Sequence, residues 1–127
     1  MSNFFKDSLK KMSDLNLVDF SKFSQRGIEK ESLRVNNSKI STSDHPEILG
    51  AALTNPYITT DFSEALLELI TAKASSVEKA LSDLKIILAY THQNIDDIVW
   101  PGSIPCAIKE ESDIRIAHYG NSNSGRL

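Results

Sequence analysis

Apolar residues recur at helical spacing near the start of the chain. Phe5, Leu9, Met12 and Leu15 are separated by lysines and aspartates, which predicts an amphipathic helix over residues 4–17. Its stripe is expected to pack on the rest of the domain. A helix lying on a membrane surface is the weaker alternative, because the opposite face is not strongly basic. Residues 27–35 then switch to a period of two. As a strand they place Glu29, Glu31, Leu33 and Val35 on one face and Ile28, Lys30, Ser32 and Arg34 on the other. The two glutamates would share the face of the core-type residues, with the basic side chains pointing away. Residues 36–45 form a polar loop, His45-Pro46 begins a more apolar stretch to Leu53 that suits a short helix, and Asn55-Pro56 reads as a turn.

Residues 58–71 fit two patterns. A strand would put Phe62, Glu64, Leu66, Glu68 and Ile70 on one side and Ala65, Leu67 and Leu69 on the other. A helix would use Asp61 as N-cap with Glu64 three residues on, a capping box. Residues 76–95 are plainer: Ser75 with Glu78 makes a capping box, and Val77, Ala80, Leu81, Leu84, Ile87, Leu88 and Ile95 line one stripe of a long helix. Beyond it, Trp100-Pro101 and Ile104-Pro105-Cys106 must be extended, because proline disfavours helix at the preceding residue. Lys109–Asp113 is a surface turn, Ile114–Ala117 a short strand, and Tyr119–Leu127 a polar segment containing glycine. No internal repeat or linker divides the 127 residues, so a single domain is expected.

Composition narrows the class of partner. Hydrophobic residues are 40% and charged residues 24% of the chain, as in ordinary globular proteins. The net charge is −3, with seven Lys/Arg against five Asp/Glu in residues 1–34 and seven against twelve in residues 35–127. Neither half has the positive field that binding a phosphate backbone requires, so nucleic acid is not an expected partner. No apolar run is long enough for a membrane span, and the first residues lack the unbroken apolar stretch of a signal peptide. The one cysteine, Cys106, excludes an internal disulfide. A cytoplasmic location is the default expectation.

The acids carry the candidate chemistry. On a strand, the carboxylates of Glu29 and Glu31 stand about 6.5–7 Å apart at the backbone and lean the same way. Beside Leu33 and Val35, two like charges are costly to desolvate unless a cation or a basic partner compensates. Hard divalent cations such as Mg²⁺ prefer carboxylate oxygens and usually bridge them to substrate phosphates. A second element at 61–68 would add Asp61, Glu64 and Glu68. The commoner fate of such acids is an ion pair, and Arg26, Lys30 and Arg34 lie nearby in sequence. Spacing leaves both readings open.

The runs QRGIEKESLRVN (25–36), HPEILGAALTNPYITTDFSEALLELIT (45–71), WPGSIPC (100–106) and YGNSNSGR (119–126) together resemble the start of a bacterial-type glutamate–cysteine ligase. The likeness runs from about Gln25 to the last residue. It implies an α+β fold: part of a curved, mainly antiparallel sheet with flanking helices, similar to glutamine synthetase. The segment 58–71 would then be a strand antiparallel to 27–35. The implied activity is the ATP-dependent joining of the γ-carboxylate of L-glutamate to the amine of L-cysteine through an acyl phosphate, the first step of glutathione synthesis. The implied ligands for Mg²⁺ are Glu29, Glu31, Asp61 and Glu68. Weaker candidates for substrate contact are Glu64, Tyr119, Ser122 and Asn123, in a region where Gly120 to Gly125 would form a loop near the substrate. His118 departs from the family, which more often has glutamine there. Cys106 reads as a small buried residue and His92 as a packing or surface histidine, and no Gly-Lys-Ser/Thr marks a P-loop. The chain is expected to be the N-terminal portion of a longer catalytic domain. The missing remainder would complete the site, and the isolated chain would be inactive and prone to aggregate. The alternative is a non-catalytic α+β fragment or relic whose acids have lost their purpose.

Overall fold

The computed structural model describes residues 3–15 and 23–119. The period-two stretch forms strand β1 (Glu29–Asn36), whose centre pairs antiparallel with β4 (Leu66–Ile70). The register sets Glu29 opposite Ile70, Glu31 opposite Glu68, and Leu33 opposite Leu66. Strand β3 (Ile58–Thr60) lines the other edge of β4, and β2 (Lys39–Ile40) and β5 (Ile98–Val99) both pair with the end of β1. The sheet runs β2-β1-β4-β3 with β5 joined to β1, and every pairing is antiparallel. This is the open antiparallel α+β architecture that the sequence implied.

Residues 58–71 are neither one strand nor a helix. They fold as a hairpin, in which Asp61–Ala65 turn between β3 and β4. Asp61 N–H bonds to the Leu66 carbonyl at 3.0 Å and Leu66 N–H to the Ser63 carbonyl at 2.9 Å, closing the turn. Phe62 and Glu64 therefore leave the alternation: Phe62 is exposed and Glu64 is buried. A second hairpin sits inside the expected polar loop, joining β1 to β2 through Asn37 and Ser38. Both have positive φ, 47° and 62°, as a two-residue hairpin turn requires.

Helix α2 (Val77–Asn94) forms where its apolar stripe predicts, but its N-cap is Ser76 rather than Ser75. The Ser76 hydroxyl accepts from the Lys79 N–H at 3.1 Å. Leu84, Ile87 and Leu88 of α2, with Ile95 just beyond it, pack on Leu49, Ile58, Leu67 and Leu69. Leu67 and Leu69 alternate along β4 and are fully buried, each stabilising the fold by about 1.5–3 kcal/mol. Val77 and Leu81, expected in the stripe, are exposed. A smaller cluster of Val35, Ile40, Ala65 and Cys106, flanked by Leu33, Trp100 and Ile114, covers the end of β1. Glu47–Leu49 and Glu111–Asp113 are short 3-10 turns, and Ile114–Ala117 makes one bridge, Ile116 to Ser63, rather than a strand.

Two expectations about faces are corrected. Helix α1 (Asn3–Asp14) forms, but no residue of it is buried, so the Phe5, Leu9 and Met12 stripe is not covered by the described residues. Arg34 does not point away from the core: it lies under the covered face with a relative exposure of 1%. Both Nη atoms of its guanidinium are matched there by oxygens, while Nε has no partner among the described residues, and the Nη contacts let a charge occupy a position that alternation assigns to solvent.

Candidate active site

The β1–β4 register builds the site. Alternation sends Glu29, Glu31, Leu33 and Val35 to one face of β1, and Leu66, Glu68 and Ile70 to the same face of β4. Glu31 and Glu68 are direct cross-strand partners, and Thr59 of β3 lies opposite Glu68 on its other side. The face changes character along β1: Glu29 and Glu31 are exposed, whereas Val35 is buried. The carboxylates thus stand at the open end of the sheet rather than in its core.

Asp61 enters from the β3–β4 turn. It lies close enough, with Glu29 and Glu31, to act on Glu68, whose carboxyl is pushed above its usual value by burial first and then by these three like charges. The structure therefore brings all four predicted acids, Glu29, Glu31, Asp61 and Glu68, to one region. Among the described residues none of the four forms an ion pair. Two of the nearby basic residues, Arg34 and Lys30, are engaged elsewhere. Arg34 pairs with Asp97 at 2.8 Å on the opposite face, and Lys30 donates to the Ser32 hydroxyl.

Uncompensated carboxylates on adjoining strands are a hard-oxygen donor set, and they fit a hard divalent cation of the Mg²⁺ type. They do not form a closed cage: among the described residues, no three of these four bring oxygens within 4.8 Å of one another. An open arrangement is what Mg²⁺ uses when one or two carboxylates hold it and substrate phosphates complete its shell.

Glu64 is different. It is 1% exposed and both carboxylate oxygens are used within the chain. Oε2 accepts the His45 N–H at 3.1 Å; Oε1 accepts the His118 N–H at 2.7 Å and lies 3.0 Å from His118 Nδ1. Asp44, Glu64 and His118 bring ligand-type atoms within 4.8 Å of one another. Arg115 already holds Asp44 at 2.8 Å and keeps its carboxyl below the usual value, so this group is satisfied as it stands. Tyr119 lies beside the turn with its hydroxyl 3.5 Å from the Asp61 carbonyl and φ of 55°. Ser122 and Asn123 lie outside the described residues.

Sequence reasoning missed Arg34 and His45. Arg34 donates to the carbonyls of Ser43, Asp44 and Glu64 at 2.6, 3.0 and 2.8 Å and to Asp97. Burial lowers its pKa, while Asp97 chiefly, then Glu64 and Asp44, pull it back. His45 Nδ1 lies 2.6 Å from the Thr60 hydroxyl, and burial, followed by the nearby Arg34 charge, holds the imidazole below its usual value. Both residues sit within the runs quoted above, GIEKESLRV and HPEILG, but no spacing rule marks a residue that bonds to backbone.

Comparison with known proteins gives a consistent picture. A family profile described as glutamate–cysteine ligase matches residues 9–127. The chain is similar to the crystal structure of glutamate–cysteine ligase from Francisella tularensis in complex with AMP, with 47% identity and a TM-score of 0.74, over 80% of this chain and 21% of that one. It is also similar to a bifunctional glutathione synthetase from Pasteurella multocida, with 32% identity and a TM-score of 0.72, over 84% of this chain and 15% of that one. The chain thus spans about a fifth or less of the length of these two relatives.

Proposed function

Because this chain belongs to the glutamate–cysteine ligase family, we propose that it supplies the acidic wall of a ligase site joining the γ-carboxylate of L-glutamate to the amine of L-cysteine. The observation that carries the proposal is the set of four carboxylates, Glu29, Glu31, Asp61 and Glu68, gathered without a counter-charge among the described residues. In the reaction, an oxygen of the γ-carboxylate attacks the γ-phosphorus of ATP and ADP leaves. The cysteine amine then displaces phosphate from the acyl phosphate. The AMP bound to the Francisella ligase supports a nucleotide as co-substrate.

Within that scheme Glu29, Glu31, Asp61 and Glu68 are the residues that would hold Mg²⁺. When bound, the cation would neutralise charge on the triphosphate and on the phosphoryl group in transfer. The acids are not nucleophiles. Their part is to present oxygens from a rigid pair of strands, so that charge-stabilising groups are in place before the reaction begins. The cross-strand pairing of Glu31 with Glu68 sets the backbone positions of two of these acids by strand register. The remaining part of the site would come from polypeptide equivalent to the rest of the relatives' length. The 127-residue chain alone is accordingly expected to release no ADP with glutamate and cysteine.

The test is a graft in which this chain replaces the matching part of the Francisella ligase. The graft should release ADP only when ATP, glutamate and cysteine are all present. Glu31→Gln in the graft should lower that rate by about 10²–10³-fold with the fold intact. A folded graft without activity, or one indifferent to Glu31→Gln, would contradict the reading.

A further inference from the structure

The turn that carries Asp61 to the acidic face, Asp61-Phe62-Ser63-Glu64-Ala65, contains neither glycine nor proline. Asp61 and Ser63 favour a turn but do not fix one shape as glycine or proline would. Its own backbone bonds close it, Ala117 N–H and the Arg115 carbonyl hold it at Phe62 and Glu64, and the side-chain contacts that fix it from outside converge on Glu64. The Glu64 carbonyl accepts from Arg34 Nη2 at 2.8 Å, while the carboxylate accepts the N–H groups of His45 at 3.1 Å and His118 at 2.7 Å. The Arg34 N–H bonds to the next carbonyl, Ala65, at 2.7 Å. The same guanidinium group holds the Ser43 and Asp44 carbonyls and pairs with Asp97. One buried cation and one buried carboxylate thus tie three backbone segments, 43–45, 61–65 and 118, to strand β1.

We propose that Arg34 is a positioning residue which, through Glu64, fixes the Asp61 turn and thereby sets the affinity of the acidic face for a divalent cation. The inference rests on the metal role proposed above. Arg34 lies on the opposite face of β1 from Glu29 and Glu31 and touches no ligand itself. Its action is geometric: Asp61 must stand at a fixed place relative to Glu68 for their oxygens to serve one ion. Partners of this outer kind usually change metal affinity by about 10–100-fold when removed. Lysine is a poor substitute here, because a single ammonium cannot reproduce the planar fork that reaches five acceptors at once.

The test uses Mn²⁺ as the probe for the 127-residue chain, with free Mn²⁺ followed by electron paramagnetic resonance and folding by circular dichroism. Arg34→Lys should remain folded well below its Tm and bind Mn²⁺ about 10–100-fold more weakly. Glu64→Gln, which keeps the carbonyl for Arg34 but replaces one carboxylate oxygen by a donor, should weaken binding in the same direction. It carries the test if Arg34→Lys does not fold. Leu84→Ala, on the sheet-facing side of α2, is the control: it should lower Tm and leave Mn²⁺ affinity unchanged. If the wild type binds Mn²⁺ and the folded Arg34 and Glu64 variants bind it equally well, the positioning role is overturned and the metal reading stands. If the wild type binds no Mn²⁺, both fall.

Discussion

The two faces of the sheet treat charge in opposite ways. On the face covered by α2, Arg34 is buried and surrounded by acceptors: Asp97, three carbonyls and the Ser41 hydroxyl. On the open face, Glu29, Glu31 and Glu68 stand together with Asp61 nearby and no opposite charge among the described residues. The covered face meets most of the demand that burying a charge makes, with Arg34 Nε and His45 Nε2 left without a hydrogen bond among the described residues, and its arrangement serves the fold. The open face leaves a demand unmet. Repulsion of this kind lowers stability, so its retention is better explained by a ligand than by folding. The difference gives a rule: changes on the covered face should cost stability, and changes on the open face should cost none.

The largest effect is expected at Arg34. Arg34→Met removes one partner of a buried pair and should destabilise the chain by about 3–5 kcal/mol in urea titration. Next comes Leu67→Ala, which opens a cavity beneath α2 and should cost about 2–5 kcal/mol. Ser76→Ala removes the N-cap of α2 and should cost about 1 kcal/mol. The smallest effect has the opposite sign. Glu68→Gln removes a like charge directly opposite Glu31 and should stabilise metal-free protein by about 0.2–1 kcal/mol.

That last gain depends on pH in a defined way. The Glu68 carboxyl lies above its usual 4.5 in the folded chain, so the folded state holds its proton more tightly than the unfolded state does. Stability from this group therefore falls as pH rises from 4.5 through the raised folded value. The difference in Tm between Glu68→Gln and wild type should grow across that window and level off above it. His45 works the other way, since its folded pKa lies below its usual 6.5 and its contribution is lost as pH falls below 6.5. That contribution is common to both proteins and cancels in the difference. A difference that is flat with pH would show that Glu68 does not feel its neighbours.

Much of this was legible in the sequence, for reasons that also explain the failures. Period two in residues 27–35 put Glu29 and Glu31 on one face, and the register then added Glu68 as the resemblance implied. The stripe from Ala80 to Ile95 located α2, because a helix that covers a sheet must carry one. The 58–70 hairpin was not legible, because Asp61 suits a turn and a helix N-cap alike, and the side chains and backbone that hold the turn, Arg34, His45 and His118, come from elsewhere in the chain. The sense of the β1 faces was misread for a related reason. Alternation sorts side chains into two sets but does not say which set is covered, and a buried arginine with five acceptors looks in sequence like a solvated one. The α1 stripe was read correctly as amphipathic, yet periodicity names no partner for it, and none of its residues is buried.

The central claim is that the open face is a divalent cation site. Thermal unfolding of the 127-residue chain with and without millimolar Mg²⁺, beside Glu31→Gln, tests it most directly. A ligand that binds only the folded state raises Tm, so Mg²⁺ should raise the wild-type Tm and leave that of Glu31→Gln nearly unmoved. A wild-type Tm indifferent to Mg²⁺, or an equal rise in both proteins, would contradict the account.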